Sequence, residues 1–166
     1  MFRRKPKPVG APPSPGPGLR AQALALDPAA VGLTRDASGP VWGVMMDTTQ
    51  ATAGGWHCLV ALADGTTSLY TSSAFGIIGG GAHEPVRVAN HALLAVVAQH
   101  LDGFVPAPGN ELPPAGSVTI RALTFDGQLT ATATEADLVG HRHPASPAFR
   151  AAHGVITQLR LVTRAG

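Results

Sequence analysis

Three consecutive glycines precede a helix start in FGIIGGGAHE, residues 75–84, and this stretch has the clearest potential for ligand chemistry. Free backbone N–H groups at such a turn, together with the helix dipole, can bind a phosphate or a carboxylate. The candidate ligand-binding residues are Gly79, Gly80, Gly81 and His83. The spacing matches neither GxGxxG nor GxxxxGK[ST], the loop contains no Lys or Arg, and Glu84 adds a negative charge. These features favour a flexible crossover from strand to helix over a ligand loop.

Histidines form a second candidate site, because imidazole is a common zinc ligand. The best set among the seven histidines is His141, His143 and His153. In an extended segment His141 and His143 project to the same side, and in this hypothesis His153 folds back from the following helix. HRHPASPAFRAAH supplies no Asp, Glu or Cys ligand, although Asp137 is near. Histidines that cap, bridge or pack are commoner, so we assign no metal and expect His143-Pro144 to set the entry into the last helix.

Cys58, the single cysteine, could act as a nucleophile with His57 as its base. Adjacent residues of a strand point to opposite faces, which separates this pair. A buried core thiol is therefore the better interpretation. One cysteine also excludes an internal disulfide and a multi-thiolate zinc site. The remaining hydroxyls and carboxylates are scattered, so the sequence predicts no catalytic residue and no cofactor.

Two amphipathic helices must position these segments. EPVRVANHALLAVVAQHL, residues 84–101, has the most regular period in the chain, and its apolar residues predict one stripe that needs a sheet to cover it. This stripe consists of Val86, Ala89, Leu93, Val97 and Leu101. A second helix is predicted from Ser146 to about Thr163, with an inner stripe of Phe149, Ala152, Ile156 and Leu159. Gly154 costs roughly 1 kcal/mol relative to Ala in a helix, so we expect close packing against a strand or helix there.

A first strand at residues 41–47 precedes a hairpin whose strands, 56–63 and 66–73, flank Asp64-Gly65. This pair favours a two-residue type I′ turn, because both positions need positive φ. Such a turn pairs Val60 with Leu69. It places Leu69 on the face of Cys58, Val60 and Leu62, and it places Tyr70 on the face of His57, Leu59 and Ala61.

A second hairpin, with strands at 117–125 and 128–134, surrounds Asp126-Gly127. Its apolar face is predicted to consist of Val118, Ile120, Ala122, Leu129, Ala131 and Ala133. The opposite face, with Arg121 and three threonines, can be wet. The resulting order, β-β-β-α-β-β-α, predicts an α+β fold with a five-stranded antiparallel sheet and two helices on one face.

The chain divides into three parts. Residues 1–18 contain six of the fifteen prolines and are expected to be a disordered basic tail. Residues 19–40 form a short helical arm and a linker, and residues 41–166 form a single α+β domain. Within this domain, residues 102–116 contain four prolines and are expected to be a crossing loop.

The basic residues are distributed unevenly. Residues 1–20 carry five basic residues and no acid, whereas residues 21–166 carry seven basic and ten acidic residues. The domain is therefore mildly acidic, and we do not expect it to bind nucleic acid. The tail could contact an anionic surface or partner, although a short terminal run of charge is more often a solvated end. No apolar run approaches 18 residues and no export signal is recognisable, which indicates a cytoplasmic protein.

Several segments together resemble a bacterial family of hypothetical proteins, over most of the chain from about Leu19 onward. They are VWGVMMD, ALADGTTSLYTSS, GIIGGGAH, VTIRALTFDG and RHPASPAFRAAHGVITQLR. The resemblance implies a bacterial, cytoplasmic protein. It implies no catalytic residue, cofactor or substrate.

Charged residues make up 13% of the chain, which is low, and such a surface tends to bury a patch in a partner. The leading hypothesis is a non-catalytic protein-interaction or assembly module that self-associates, as a homodimer, or docks on a protein partner. The alternative is a small-molecule or anion-binding domain, enzymatic or not, that uses the Gly-rich loop 76–83.

Overall fold

The computed structural model describes residues 15–73 and 75–166, which form an α+β fold around one antiparallel sheet. The strands are β1 (Val41–Thr49), β2 (Trp56–Leu62), β3 (Thr67–Thr71), β4 (Gly76–Ile77), β5 (Val105–Pro106), β6 (Ser117–Thr124) and β7 (Gly127–Thr134). The α-helices are α1 (Pro15–Leu24), α2 (Arg35–Ser38), α3 (Glu84–Gln99), α4 (Glu135–Val139) and α5 (Ser146–Arg164). The strand order is β4-β3-β2-β1-β6-β7-β5, so β1 lies at the centre.

The sheet has seven strands, and the prediction of five is wrong. The two additional strands, β4 and β5, are two residues long and form the edges of the sheet. They lie in the glycine-rich and proline-rich segments, where two paired residues give no recognisable period. The α4 helix was also missed, although Thr134 caps it by accepting a hydrogen bond from the N–H of Asp137 at 3.2 Å.

The helices α3 and α5 lie on one face of the sheet, and they bury their apolar stripes in one core with it. Val86, Leu93 and Val97 of α3 are buried, as the periodicity predicts. The predicted inner stripe of α5 is also buried. Asn90 is an unexpected buried residue of α3. Its amide nitrogen donates to Thr67 Oγ1 at 2.7 Å, which ties the helix to the start of β3.

The first hairpin is closed by a three-residue loop and not by the predicted two-residue turn. The N–H of Leu62 donates to the carbonyl of Thr66, and the N–H of Gly65 donates to the carbonyl of Leu62. Gly65 has φ 93°, as the left-handed residue of a type I turn with a glycine bulge requires. An Asp-Gly pair is compatible with both the two-residue turn and the three-residue loop, so this dipeptide does not predict which of them forms.

The additional loop residue turns β3 over relative to the prediction. Leu69 pairs with Leu59 and belongs to the core under α3 and α5, whereas Tyr70 pairs with Cys58 and packs against the opposite core. The prediction that Leu69 shares a face with Cys58 is therefore wrong. A slip of one residue moves every side chain of a strand to the other face.

The second hairpin has the predicted faces, because Ile120 pairs with Ala131 and both lie in the core under the helices. The expectation that the opposite face is wet holds for Thr132 and Thr134, which are exposed, but it is wrong for the other half of that face. Arg121 on that face is 2% exposed and Thr130 is also buried. The crossing segment, residues 102–116, covers this end of the sheet, and Arg121 Nη2 donates to the carbonyl of Gly109 at 2.8 Å.

The remainder of this second face is covered by the N-terminal arm, which builds a second core. The buried residues of this core are Ala23, Leu24, Leu33, Trp42, Met45, Cys58, Val60, Leu62 and Leu123. The α1 helix begins at Pro15, four residues before the predicted arm. Asp27 Oδ1 then accepts the N–H of Ala29 at 3.0 Å, at the start of a 3₁₀ turn over Ala29–Val31. Residues 1–14 of the predicted tail lie outside the described residues, so its disorder and its contact with an anionic surface stay predictions.

None of the helices within residues 15–73 and 75–166 combines the length and the apolar character that crossing a bilayer requires.

Candidate functional site

An open groove runs between α3 and α5 on the side of the helix pair that faces away from the sheet. Its volume is about 550 Å³. The groove is lined by Glu84, Pro85, Val88, Ala89, Ala92, Gly154 and Gln158. We call this surface the helix-pair groove. Most of its lining is small or apolar, and Val88 is 62% exposed.

The periodicities that build the core also create this groove. Val86, Leu93 and Val97 turn one side of α3 towards the sheet, which leaves Val88 and Ala92 pointing to solvent. Residues with short side chains at these outward positions keep the groove open. An amphipathic helix of a monomeric protein usually carries polar residues on this face, so an apolar outer face is informative.

Gly154 is the least expected residue of the groove. We predicted close packing against it within the chain, and this prediction is wrong, since a Cβ at Gly154 would meet no atom within 4 Å. No contact among the described residues therefore requires glycine in the middle of α5. No contact within the described residues offsets its helix cost of roughly 1 kcal/mol.

Charged residues flank the apolar part of α3 and α5 in the sequence. Glu84 stands at the N-terminus of α3, and Arg150 is exposed on α5, one turn before Gly154. Leu161, two turns after Gly154, is 52% exposed and extends the apolar surface along α5. The arrangement is an apolar centre with polar margins, as in the cores and rims of protein interfaces.

The Gly-rich loop packs against the body of the domain. Gly80 is buried, and a Cβ on it would overlap the Leu159 side chain, whereas a Cβ on Gly81 would overlap the carbonyl oxygen of Gly65. Arg87 Nη1 donates to the carbonyl of Gly81 at 2.8 Å. Gly79 has φ 78°, and His83 is exposed at the start of α3. Packing and turn geometry thus account for these glycines, and ligand binding by the loop stays a prediction.

The three histidines proposed as metal ligands have separate environments. His141 is exposed and left-handed, with φ 57°, and so the segment is not extended there. His143 Nδ1 accepts the N–H of Ala145 at 3.1 Å, which shapes the entry into α5. His153 contacts Phe149 edge-on, with ring centroids 4.4 Å apart. Within the described residues, no three His, Cys, Asp or Glu side chains are grouped as metal ligands.

Cys58 and His57 are on opposite sides of β2. Cys58 is buried in the core under the arm, and burial raises the pKa of its thiol well above the usual value. His57 is on the side of α5, where burial lowers its pKa and the charge of His153 lowers it further. Both effects favour the neutral forms at neutral pH, so neither group is prepared for acid–base or nucleophilic chemistry.

A buried charge cluster lies under the arm, and sequence reasoning missed it. The Arg20 guanidinium donates from Nε and Nη2 to both oxygens of Asp47, at 2.9 Å and 2.7 Å. Arg20 Nη2 also donates to the carbonyl of Asn110. Arg121 lies on the same face of the sheet. A charged residue inside each of the apolar runs VWGVMMD and VTIRALTF was the available signal, because such positions are rarely left without partners.

Comparisons with models of protein families, with curated proteins and with solved structures found no match to this chain.

Proposed function

We propose that this protein is a non-catalytic assembly module of the bacterial cytoplasm, which forms a homodimer through the helix-pair groove. The observation that carries the proposal is the uncharged centre of the groove, where exposed Val88 and Ala92 lie beside a glycine that no contact within the described residues requires. In a dimer, the absence of a Cβ at this glycine lets a helix of the second copy approach closely.

A two-fold interface uses the same patch on both copies, and it must therefore be complementary to itself. The helix-pair groove meets this condition. Its centre is small and apolar, Glu84 lines it at the N-terminus of α3, and Arg150 is exposed on α5, one turn before Gly154. Two-fold pairing allows the acid of one copy to approach the base of the other, while the apolar centres cover each other.

The edges of the sheet offer less to a partner. Both edge strands, β4 and β5, are two residues long, and β5 ends in Pro106, which lacks a backbone N–H. Short edges with proline protect a sheet from pairing with another chain. This protection favours the helix layer over strand addition as the docking surface.

The proposal is tested with two valines of nearly equal exposure, Val88 at 62% and Val139 at 61%. Val139 is on α4, away from the groove, and each valine lies four residues after a glutamate of its own helix. Val88→Lys and Val139→Lys therefore introduce the same charge and the same favourable Glu–Lys spacing. Analytical ultracentrifugation over a range of concentrations should give a dimer for the wild type and for Val139→Lys, and a monomer for Val88→Lys.

Equal effects of the two substitutions would show that the groove is not the interface. The alternative function, ligand binding at the Gly-rich loop 76–83, predicts instead that a metabolite raises the thermal stability of the wild type. A Gly80→Val substitution does not isolate this alternative, since the new side chain would also collide with Leu159.

A further inference from the structure

A cavity of about 160 Å³ lies under the crossing segment, on the face of the sheet that carries Arg121. Its roof is formed by residues of the crossing segment, including Pro108, Leu112 and Pro113. Its floor includes Thr119 and Thr132, whose hydroxyls are hydrogen-bonded to each other at 2.7 Å. The cavity therefore has an apolar roof and a polar floor, with a guanidinium in its wall.

Arg121 carries a buried positive charge without a direct counter-ion. Its Nη1 donates to Gln128 Oε1 at 2.9 Å and its Nη2 donates to the carbonyl of Gly109 at 2.8 Å, so both partners are neutral. Within residues 15–73 and 75–166, no carboxylate lies within ion-pair distance of it. The carboxylate of Asp47 is engaged by Arg20. Two buried or half-buried guanidiniums thus share one buried carboxylate, which leaves a surplus of one positive charge.

The Nε of Arg121 is buried and has no hydrogen-bond partner among the described residues. Arg20 shows the complete form of the same arrangement, because its Nε–Nη2 edge binds both oxygens of a carboxylate. In Arg121 the corresponding edge holds a single carbonyl, that of Gly109. A buried charge with an unpaired donor is costly, and burial lowers the pKa of Arg121.

We propose that the cavity under the crossing segment is a binding site for a small monocarboxylate, whose two oxygens replace the Gly109 carbonyl on the Nε–Nη2 edge of Arg121. The cavity volume equals roughly five waters, which limits the ligand to a short acid of about two to four carbons. The apolar roof receives the alkyl chain. Because Nε is buried and Nη2 is held by the Gly109 carbonyl, the crossing segment must move aside for the ligand to enter.

Glu111 lies at the mouth of the cavity and is exposed. Its negative charge acts on both arginines, so it competes weakly with an incoming carboxylate. Replacement by glutamine keeps the shape and removes the charge. Glu111→Gln should therefore tighten carboxylate binding by about two- to fivefold, as expected for the loss of an exposed like charge.

The test is a titration of the full chain, labelled with ¹⁵N, with acetate, propionate and butyrate at constant ionic strength. The arginine Nε–Hε signals report the site directly, and the signal that is absent from Arg121→Lys belongs to Arg121. We expect this signal to shift saturably while the signal of Arg20, already bound to Asp47, stays in place. Arg121→Lys retains the charge but lacks the planar edge, and it should weaken binding about tenfold or more.

Three results would overturn the proposal. One is the absence of a saturable shift of the Arg121 signal with any of the three acids. Another is an equal or stronger response to sulfate or phosphate, which would exclude a site selective for carboxylates. The third is weaker binding of the acids to Glu111→Gln than to the wild type, because the removal of an exposed like charge should tighten binding.

Discussion

Replacement of Arg20 by methionine should lower the free energy of unfolding by about 3 kcal/mol, because the carboxylate of Asp47 stays buried without its partner. The Asp47 side chain is 1% exposed, and both of its oxygens accept hydrogen bonds from Arg20. Methionine retains most of the apolar stem of arginine, so the loss reports mainly the charge.

The magnitude follows from the burial of the pair. Removal of one partner from a buried ion pair costs about 3–5 kcal/mol, whereas an exposed pair contributes about 0–1 kcal/mol. Arg20→Met belongs at the lower end of the first range, since the charge of Arg121 still acts on Asp47. Arg35→Met is the matched control. It also breaks an arginine–aspartate pair of the arm, but Arg35 and Asp126 are both exposed.

Urea unfolding followed by tryptophan fluorescence measures both variants, because Trp42 is buried in the core beneath the arm. A loss of about 3 kcal/mol should move the midpoint down by roughly 1–2 M urea. Arg35→Met should move it by much less. If the two variants unfold at the same urea concentration, the arm is not held by a buried pair and the reasoning is refuted.

Three further predictions concern other parts of the fold. Gly80→Ala should lose about 1–3 kcal/mol of unfolding free energy, because its Cβ would collide with Leu159. Gly154→Ala, with open space around its Cβ, should gain about 0.5–1 kcal/mol. Thermal unfolding of both variants is measured in the Val88→Lys background, which is expected to be monomeric. Cys58 should react with a thiol reagent such as DTNB only as the protein unfolds, because its thiol is buried and its pKa is raised; rapid labelling of the native protein would contradict this. Burial lowers the pKa of His57 and of His153 below the ordinary value near 6.5, so the unfolded chain binds more protons than the folded one. The free energy of unfolding should therefore fall as the pH is lowered from about 7 to about 5. The slope of the unfolding free energy against pH should be smaller in His153→Gln, and an unchanged slope would argue against a buried imidazole.

Local periodicity predicted the two long helices, α3 and α5, and the five longer strands, but not α4. The α3 helix begins at Glu84 as predicted, and the buried stripe of α5 follows the apolar spacing of the sequence. Both helices are longer than ten residues and have a strong period. The second hairpin keeps its predicted faces although its turn is at Phe125 and Asp126 and not at Asp126-Gly127, because the pairing shifts by two residues and each side chain stays on its face.

Tertiary geometry decided the features that the sequence did not predict. Asp64-Gly65 fits two loop lengths, and the choice between them determines which core receives Leu69. The polar face of the second hairpin was expected to be wet, because nothing in its local pattern shows that the crossing segment covers Arg121 and Thr130. The two edge strands are too short to have a period.

Tertiary geometry also decided which of the candidate sites is formed. The glycines of the loop 79–81 are predicted as a possible ligand-binding loop, but packing against backbone and side-chain atoms explains Gly80 and Gly81. The sequence shows that Gly154 lowers the stability of its helix. The spacing of the apolar residues does not show that Gly154 lies on an open surface. The sequence shows Arg121 and Asp47 as charged residues within apolar strands. The two residues are far apart in the chain, so the sequence does not show that both are buried beneath the arm and the crossing segment.

The proposal that this protein assembles through its helix pair is tested most directly by the mass of the wild-type protein in solution. Sedimentation equilibrium should give twice the mass of one chain, with dissociation to monomers on dilution, and Val88→Lys should give the mass of one chain at the same concentrations. A wild-type protein that stays monomeric at every concentration would contradict the proposal.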